Sequence, residues 1–148
     1  MQLHLEGSNA ISAPGSKVYS LLTDPSFVAK TLPDSEDVRV IDGSTLEAKV
    51  KLRIAVVSST MRMRMTIERA SPPTKAKLVA EGSGSGSNMK ITSVFELSGE
   101  SPTTMRWSAD AEITGVMAGI GSSLLKGFAA KKVGEIFTGI TKAVEDAV

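Results

Sequence analysis

A two-residue alternation of apolar and polar side chains runs, with short interruptions, from Val38 to Ile113, and it constrains this chain more than any other feature. Neighbouring side chains on a strand point to opposite faces, so the pattern describes strands with one dry and one wet face. Leu46, Ala48, Val50, Leu52, Ile54 and Val56 oppose Glu47, Lys49, Lys51 and Arg53. Met61, Met63, Met65 and Ile67 oppose Arg62, Arg64, Thr66 and Glu68. The same rhythm recurs through Ala76, Leu78 and Ala80, then Met89, Ile91, Ser93, Phe95 and Leu97, then Met105, Trp107, Ala109, Ala111 and Ile113. The connections at 57–59, 71–73 and 99–102 are of hairpin length, which predicts an antiparallel meander. The GSGSGS segment at 82–87 reads as a strand end and turn whose glycines let the sheet bend. A linker there would leave two halves too small to bury a core.

Upstream, Leu3, Leu5, Gly7, Asn9 and Ile11 mark a first strand. Pro14 opens a helix carrying Val18, Leu21 and Leu22. Asp24-Pro25 interrupts it, and Asp24 can cap a second short helix with Phe27, Val28 and Leu32, ended by Pro33. After Gly115 the period lengthens through Met117, Ile120, Leu124, Phe128, Val133, Ile136, Phe137, Ile140 and Val144. That predicts one helix of about thirty residues. Gly115, Gly119, Gly121, Gly127, Gly134 and Gly139 each cost ~1 kcal/mol there, which reads as close approach to the inner face of the sheet.

The sum is an α+β architecture: about seven strands in a curved antiparallel sheet around a long C-terminal helix, with two short helices after strand one. A chain of 148 residues fits a single domain spanning 1–148.

Composition removes several chemistries. There is no cysteine, and the lone histidine, His4, falls on the outward parity of strand one. Disulfides, thiolate nucleophiles, a Ser-His-Asp set near the hollow and a two-histidine metal site are excluded. The inward strand positions carry no carboxylate, so paired-carboxylate chemistry lacks its parts. A net charge of +1 and 4% aromatic residues argue against nucleic acid. GSGSGS fits neither dinucleotide nor phosphate-loop spacing, and no cofactor is expected. The N-terminus is too polar for a signal peptide and no apolar run reaches 18 residues, so the expected location is cytoplasmic.

The candidate site is the hollow side. Met61, Met63, Met65, Met89, Phe95, Met105 and Trp107 share its parity, and Met117, Ile120, Leu124 and Phe128 face it from the helix. Methionine adapts to irregular and changing shapes, whereas a specified core prefers Leu, Ile and Val. Gap-filling beneath a curved sheet and a cavity for an apolar molecule both fit this census. Asn9, Ser93 and Thr103 are the polar groups turned inward, and Tyr19 is placed at the mouth. On the outer face, a turn at Ser58-Ser59 would set Arg53 opposite Arg64, beside Lys51 and Arg62. That is either a basic patch for anionic lipid or an acidic partner, or a solvated face neutralised by Glu47 and Glu68. Lys126, Lys131, Lys132 and Lys142 read as the wet face of the long helix, with docking through Lys131-Lys132 as the alternative.

In order and content the chain resembles the helix-grip fold of START, polyketide-cyclase and birch-pollen-allergen-like proteins, the SRPBCC superfamily. Within it, LLTDPSFVAKTLPDSEDV (21–38) and ADAEITGVMAGIGSSLLKGFAAKKVGEIF (109–137) resemble the family of the carbon monoxide dehydrogenase CoxG subunit. The family segment usually ends Pro-Gly-Cys, where this chain has Pro33-Asp34-Ser35. Some members carry a membrane-interacting tail, and nothing here follows Val148, so anchoring through a tail is not expected. The resemblance implies a non-catalytic accessory protein for a molybdenum hydroxylase, handling a quinone or lipid or recruiting the enzyme to the inner membrane face. The alternatives are a cyclase- or dehydratase-like enzyme, which an ionisable pair in the hollow would favour, and an assembly factor with a filled core.

Overall fold

The computed structural model describes residues 1–147 apart from Pro33, Ala55 and Ser101. The chain runs β1 (Gln2–Ile11), α1 (Gly15–Leu22), α2 (Pro25–Ala29), β2 (Ser35–Asp42), β3 (Thr45–Ile54), β4 (Val57–Ser71), β5 (Lys75–Gly84), β6 (Ser87–Ser98) and β7 (Thr103–Gly115). A short 3₁₀ turn, Val116–Ile120, leads into α3 (Ser122–Asp146). The strands form one antiparallel sheet ordered β1-β7-β6-β5-β4-β3-β2, so the first strand lies beside the last. This is the expected helix-grip architecture.

Local chemistry sets the joints. Asp24 caps α2 by accepting a hydrogen bond from the Ser26 N–H at 3.0 Å, and Pro25 follows in the first turn. Pro33, expected to end that helix, lies outside the described residues; α2 has already stopped at Ala29. The GSGSGS segment is a strand end and tight turn: Ser85 and Gly86 both have positive φ, 49° and 76°, as a two-residue hairpin of matching twist requires.

Three expectations fail. The β3–β4 hairpin reverses between Ile54 and Val57, not at Ser58-Ser59. Arg53 therefore faces Ser58, while Arg64 faces Glu47, and Val56 is 96% exposed instead of pointing inward. The terminal helix is also not continuous. Gly121, at φ 106°, separates the 3₁₀ turn from α3. The helical glycines do not mark close approach either: a β-carbon at Gly119, Gly127 or Gly134 would meet nothing within 4 Å.

The core is divided. At one end Ile11, Val18, Tyr19, Leu97 and Met105 pack with Ile140 and Val144 from the last turns of α3. At the other, Leu3, Ile54, Met61 and Ile113 pack with Met117 and with Leu125 from its first turns. A third group, Val28, Leu46 and Ile67, lies under α2. The helix thus rests on packed side chains at both ends and bridges what lies between them.

Candidate functional site

Between the two packed ends is a cavity of about 230 Å³. Its floor follows from the strand register. One row across the sheet reads Leu3, Ala111, Ile91, Ala80, Met65, and the next reads Ile113, Met89, Gly82, Met63, Ala48. Along the first row alanine alternates with long side chains, so the floor is hollowed at Ala111 and Ala80, and Ala48 ends the second row. From above, α3 supplies Phe128, Ala129, Val133 and Ile136, and Ala129 is again small. The remaining wall includes Leu5, Leu32, Val50, Leu52 and Ala109. A closed, empty void of 230 Å³ would cost about 5 kcal/mol, comparable with the whole stability of many domains.

Of the residues expected at the site, Met63, Met65, Met89, Met117 and Phe128 line the cavity. Met61 is completely buried in the packing beyond its end, and Ile120 packs against the same group. Met105 belongs to the opposite packed end. Phe95 and Trp107 also pack there, Phe95 edge-on to Tyr19 at 6.1 Å and Trp107 stacked on Phe137 at 4.7 Å. Leu124 is corrected outright: it is 55% exposed, because the helix phase set by Leu125 and Phe128 turns it to solvent. The inward polar groups serve the fold. Asn9 accepts from the Trp107 indole N–H at 3.0 Å, and the Thr103 hydroxyl donates to the Ala13 carbonyl at 2.6 Å. Tyr19 is not at the mouth; it is buried and donates to the Lys75 carbonyl at 3.1 Å, and burial raises its pKa.

The alanines are what the expected list lacked, and their inward parity was visible. What was not visible is which of them line up on adjacent strands, since that depends on register.

The lining is apolar except for Asp34 and Lys132, an ion pair at the rim joining the α2–β2 connection to α3. This overturns two expectations: an ionisable pair does face the hollow, and Lys132 is not on the wet face of the helix. Neither residue lies on a strand, so strand parity could not place them. Asp34 has φ 56°, a left-handed backbone that glycine adopts freely and aspartate tolerates. The hydrogen bond from Lys132 to Asp34, followed by one to Glu135, holds the ammonium pKa above its usual value. Lys132 also lies over the Phe128 ring, 5.6 Å from its centre.

On the outer face, Lys51 pairs with Glu36, and Arg64 stands between Glu47 and Glu81 on the neighbouring strands. Arg62 stands between Lys49 and Ser83. Lys51 and Arg64 thus stand against carboxylates, Arg62 and Arg53 do not, and none of the four faces another across the strands.

The sequence from residue 7 to residue 145 matches the family profile for the carbon monoxide dehydrogenase CoxG subunit. The chain belongs to that family. A search of curated protein sequences found no significant match. Among solved structures, a conserved protein from Geobacillus kaustophilus superposes with a TM-score of 0.87 at 24% identity, covering 98% of this chain and 97% of that one. A START superfamily protein from Mycobacterium smegmatis gives 0.71 at 14% identity, with 98% and 99% covered. The Zhui aromatase/cyclase from Streptomyces sp. R1128 gives 0.67 at 13% identity, with 98% and 94% covered. These likenesses show that the chain has the START-like helix-grip fold. No helix among the described residues is long and apolar enough to cross a membrane.

Proposed function

We propose that this chain, as one domain over 1–148, holds a lipophilic molecule between α3 and the sheet and acts as a binding accessory protein. The observation that carries this is the 230 Å³ cavity with an apolar lining and a charged pair only at its rim. An engineered apolar cavity of ~150 Å³ takes up benzene, and ordinary ligand pockets begin near ~300 Å³. The space therefore suits one ring or a stretch of one chain, with the remainder of a quinone or lipid leaving through the mouth. The family suggests a molybdenum hydroxylase as the enzyme served, in the cytoplasm or at the inner membrane face. The outer cations Lys51, Arg53, Arg62 and Arg64 would favour an acidic surface there.

The test is native mass spectrometry of delipidated protein titrated with a short-chain quinone and a neutral apolar dye. One-to-one complexes are expected. Absence of any complex, with a solvent-filled or collapsed interior, would sink the proposal. Recovery of a molybdenum hydroxylase on the tagged protein would support the accessory role, and salt-insensitive binding to liposomes regardless of lipid charge would refute the electrostatic part.

One observation favours a second reading, a cyclase- or dehydratase-like enzyme: the Asp34–Lys132 pair itself. General acid–base work needs a group that gives up its proton near the working pH. Lys132 is held above its ordinary value and already donates to Asp34, which weighs against that role. Conversion of a bound molecule to a new mass, abolished in Asp34→Asn, would establish the enzyme.

A further inference from the structure

The apolar cavity continues at its rim into a recess of about 460 Å³ with a polar wall, and the two share Asp34, Leu52, Phe128 and Lys132. Three cations line the recess, Lys51, Arg53 and Lys132, against one carboxylate, Asp34. Lys51 and Lys132 are already engaged, with Glu36 and with Asp34 and Glu135. Arg53 has no ion-pair partner among the described residues. Ser59, the cross-strand partner of Leu52, also lines the recess; it is 5% exposed and its hydroxyl has no hydrogen-bond partner among the described residues. Native interiors leave few such groups unpaired, and an orphan on the wall of a recess next to an apolar cavity calls for a ligand oxygen.

We propose that the recess receives the carboxylate head of a single-chain amphiphile whose tail occupies the cavity. This rests on the cavity reading above and specifies its ligand class. The Arg53 guanidinium offers a planar fork that matches a carboxylate in two parallel hydrogen bonds. The Ser59 hydroxyl, turned about χ1, donates to the same group and loses its unpaired state. Lys132 adds charge without having to leave Asp34, because a partly exposed ion pair is weak and easily shared. A neutral head would use the hydroxyl and leave Arg53 unsatisfied. At about 230 Å³ the cavity has room for a stretch of one chain and not for two, which selects a single-tailed molecule.

The experiment is competition against a neutral apolar dye, N-phenyl-1-naphthylamine, by dodecanoate, dodecanol, methyl dodecanoate and dodecyl phosphate, well above the pKa of the acid. Dodecanoate is expected to displace the dye at about tenfold lower concentration than dodecanol, a preference of the size a charge-assisted bidentate contact provides. Arg53→Gln is expected to shrink that preference while leaving dye and dodecanol binding unchanged, and Ser59→Ala to weaken dodecanoate and dodecanol alike while leaving dye binding unchanged. Equal binding of acid and alcohol, a preference untouched by Arg53→Gln, or an unchanged affinity for both compounds in Ser59→Ala overturns the headgroup site. Stronger binding of dodecyl phosphate than of dodecanoate overturns the carboxylate assignment. Failure of every compound, the dye included, overturns the cavity reading instead.

Discussion

The thioether of Met63 lies across the α-carbon of Gly82, its partner on the neighbouring strand. A β-carbon at position 82 would overlap the Met63 sulfur and press on the Arg62 carbonyl oxygen at 3.1 Å. The glycine lets a long side chain fold down onto the sheet, and the methionine, with its flexible stem, can take that path where valine or isoleucine cannot.

Gly82→Ala should therefore force Met63 upward and cost about 1–3 kcal/mol, as overpacking in other cores does. Urea unfolding measures it, and the double variant with Met63→Ala should show strong coupling between the two sites. A Gly82→Ala protein as stable as the parent would show that the contact does not constrain the sheet.

Ala80 and Ala111 flank Ile91 on the cavity floor. Leucine at either position should fill the hollow, abolish dye and quinone uptake, and leave the protein folded, since new methylenes enter existing space. Retained uptake in both variants would place the ligand somewhere else.

Asn9→Ala removes the acceptor of the Trp107 indole N–H. The pair is half-buried, so an orphaned indole N–H costs no more than about 1–3 kcal/mol; thermal unfolding should occur at a lower temperature and the tryptophan emission should shift. Because Trp107 packs outside the cavity wall, ligand should quench it without contact, and Asn9→Ala should leave the affinity for the dye unchanged.

Asp34→Gly keeps the left-handed backbone, which glycine adopts freely. It removes an exposed ion pair, so stability should change by no more than about 1 kcal/mol. Lys132, whose pKa is raised by Asp34, contributes through that pair fully below the ordinary lysine value and loses the contribution as pH rises through the folded value. Between neutrality and mildly alkaline pH, the stability difference between parent and variant should stay constant; a difference that vanished across that range would contradict the pairing.

On the convex face, His4 Nδ1 lies 2.7 Å from Asp110 and Nε2 3.1 Å from Glu6. Hydrogen bonding, first to Asp110 and then to Glu6, raises the histidine pKa. The folded value exceeds the unfolded one, so the stabilisation is full below about 6.5 and is lost as pH rises through the folded value. NMR titration of the His4 ring should show a lower midpoint in Asp110→Asn than in the parent.

Alternation alone placed Met63, Met65, Met89 and the alanines on the inner face, and the lengthening of the period after Gly115 announced the covering helix. Both follow from backbone geometry, which ties side-chain direction to position along an element. That information is local, so it was legible in the amino-acid order. It could not say that the β3–β4 hairpin turns before Ser58, and that shift of register separated Arg53 from Arg64. Nor could it align Ala111, Ala80 and Gly82 across strands, phase Leu124 outward, or bring Asp34 and Lys132 together from a loop and a helix 98 residues apart. Those outcomes depend on where one element lands against another. The sequence by itself determined which side of the sheet is dry and that a helix must cover it; tertiary packing alone decided that the helix bears on side chains at its two ends and leaves a space in the middle.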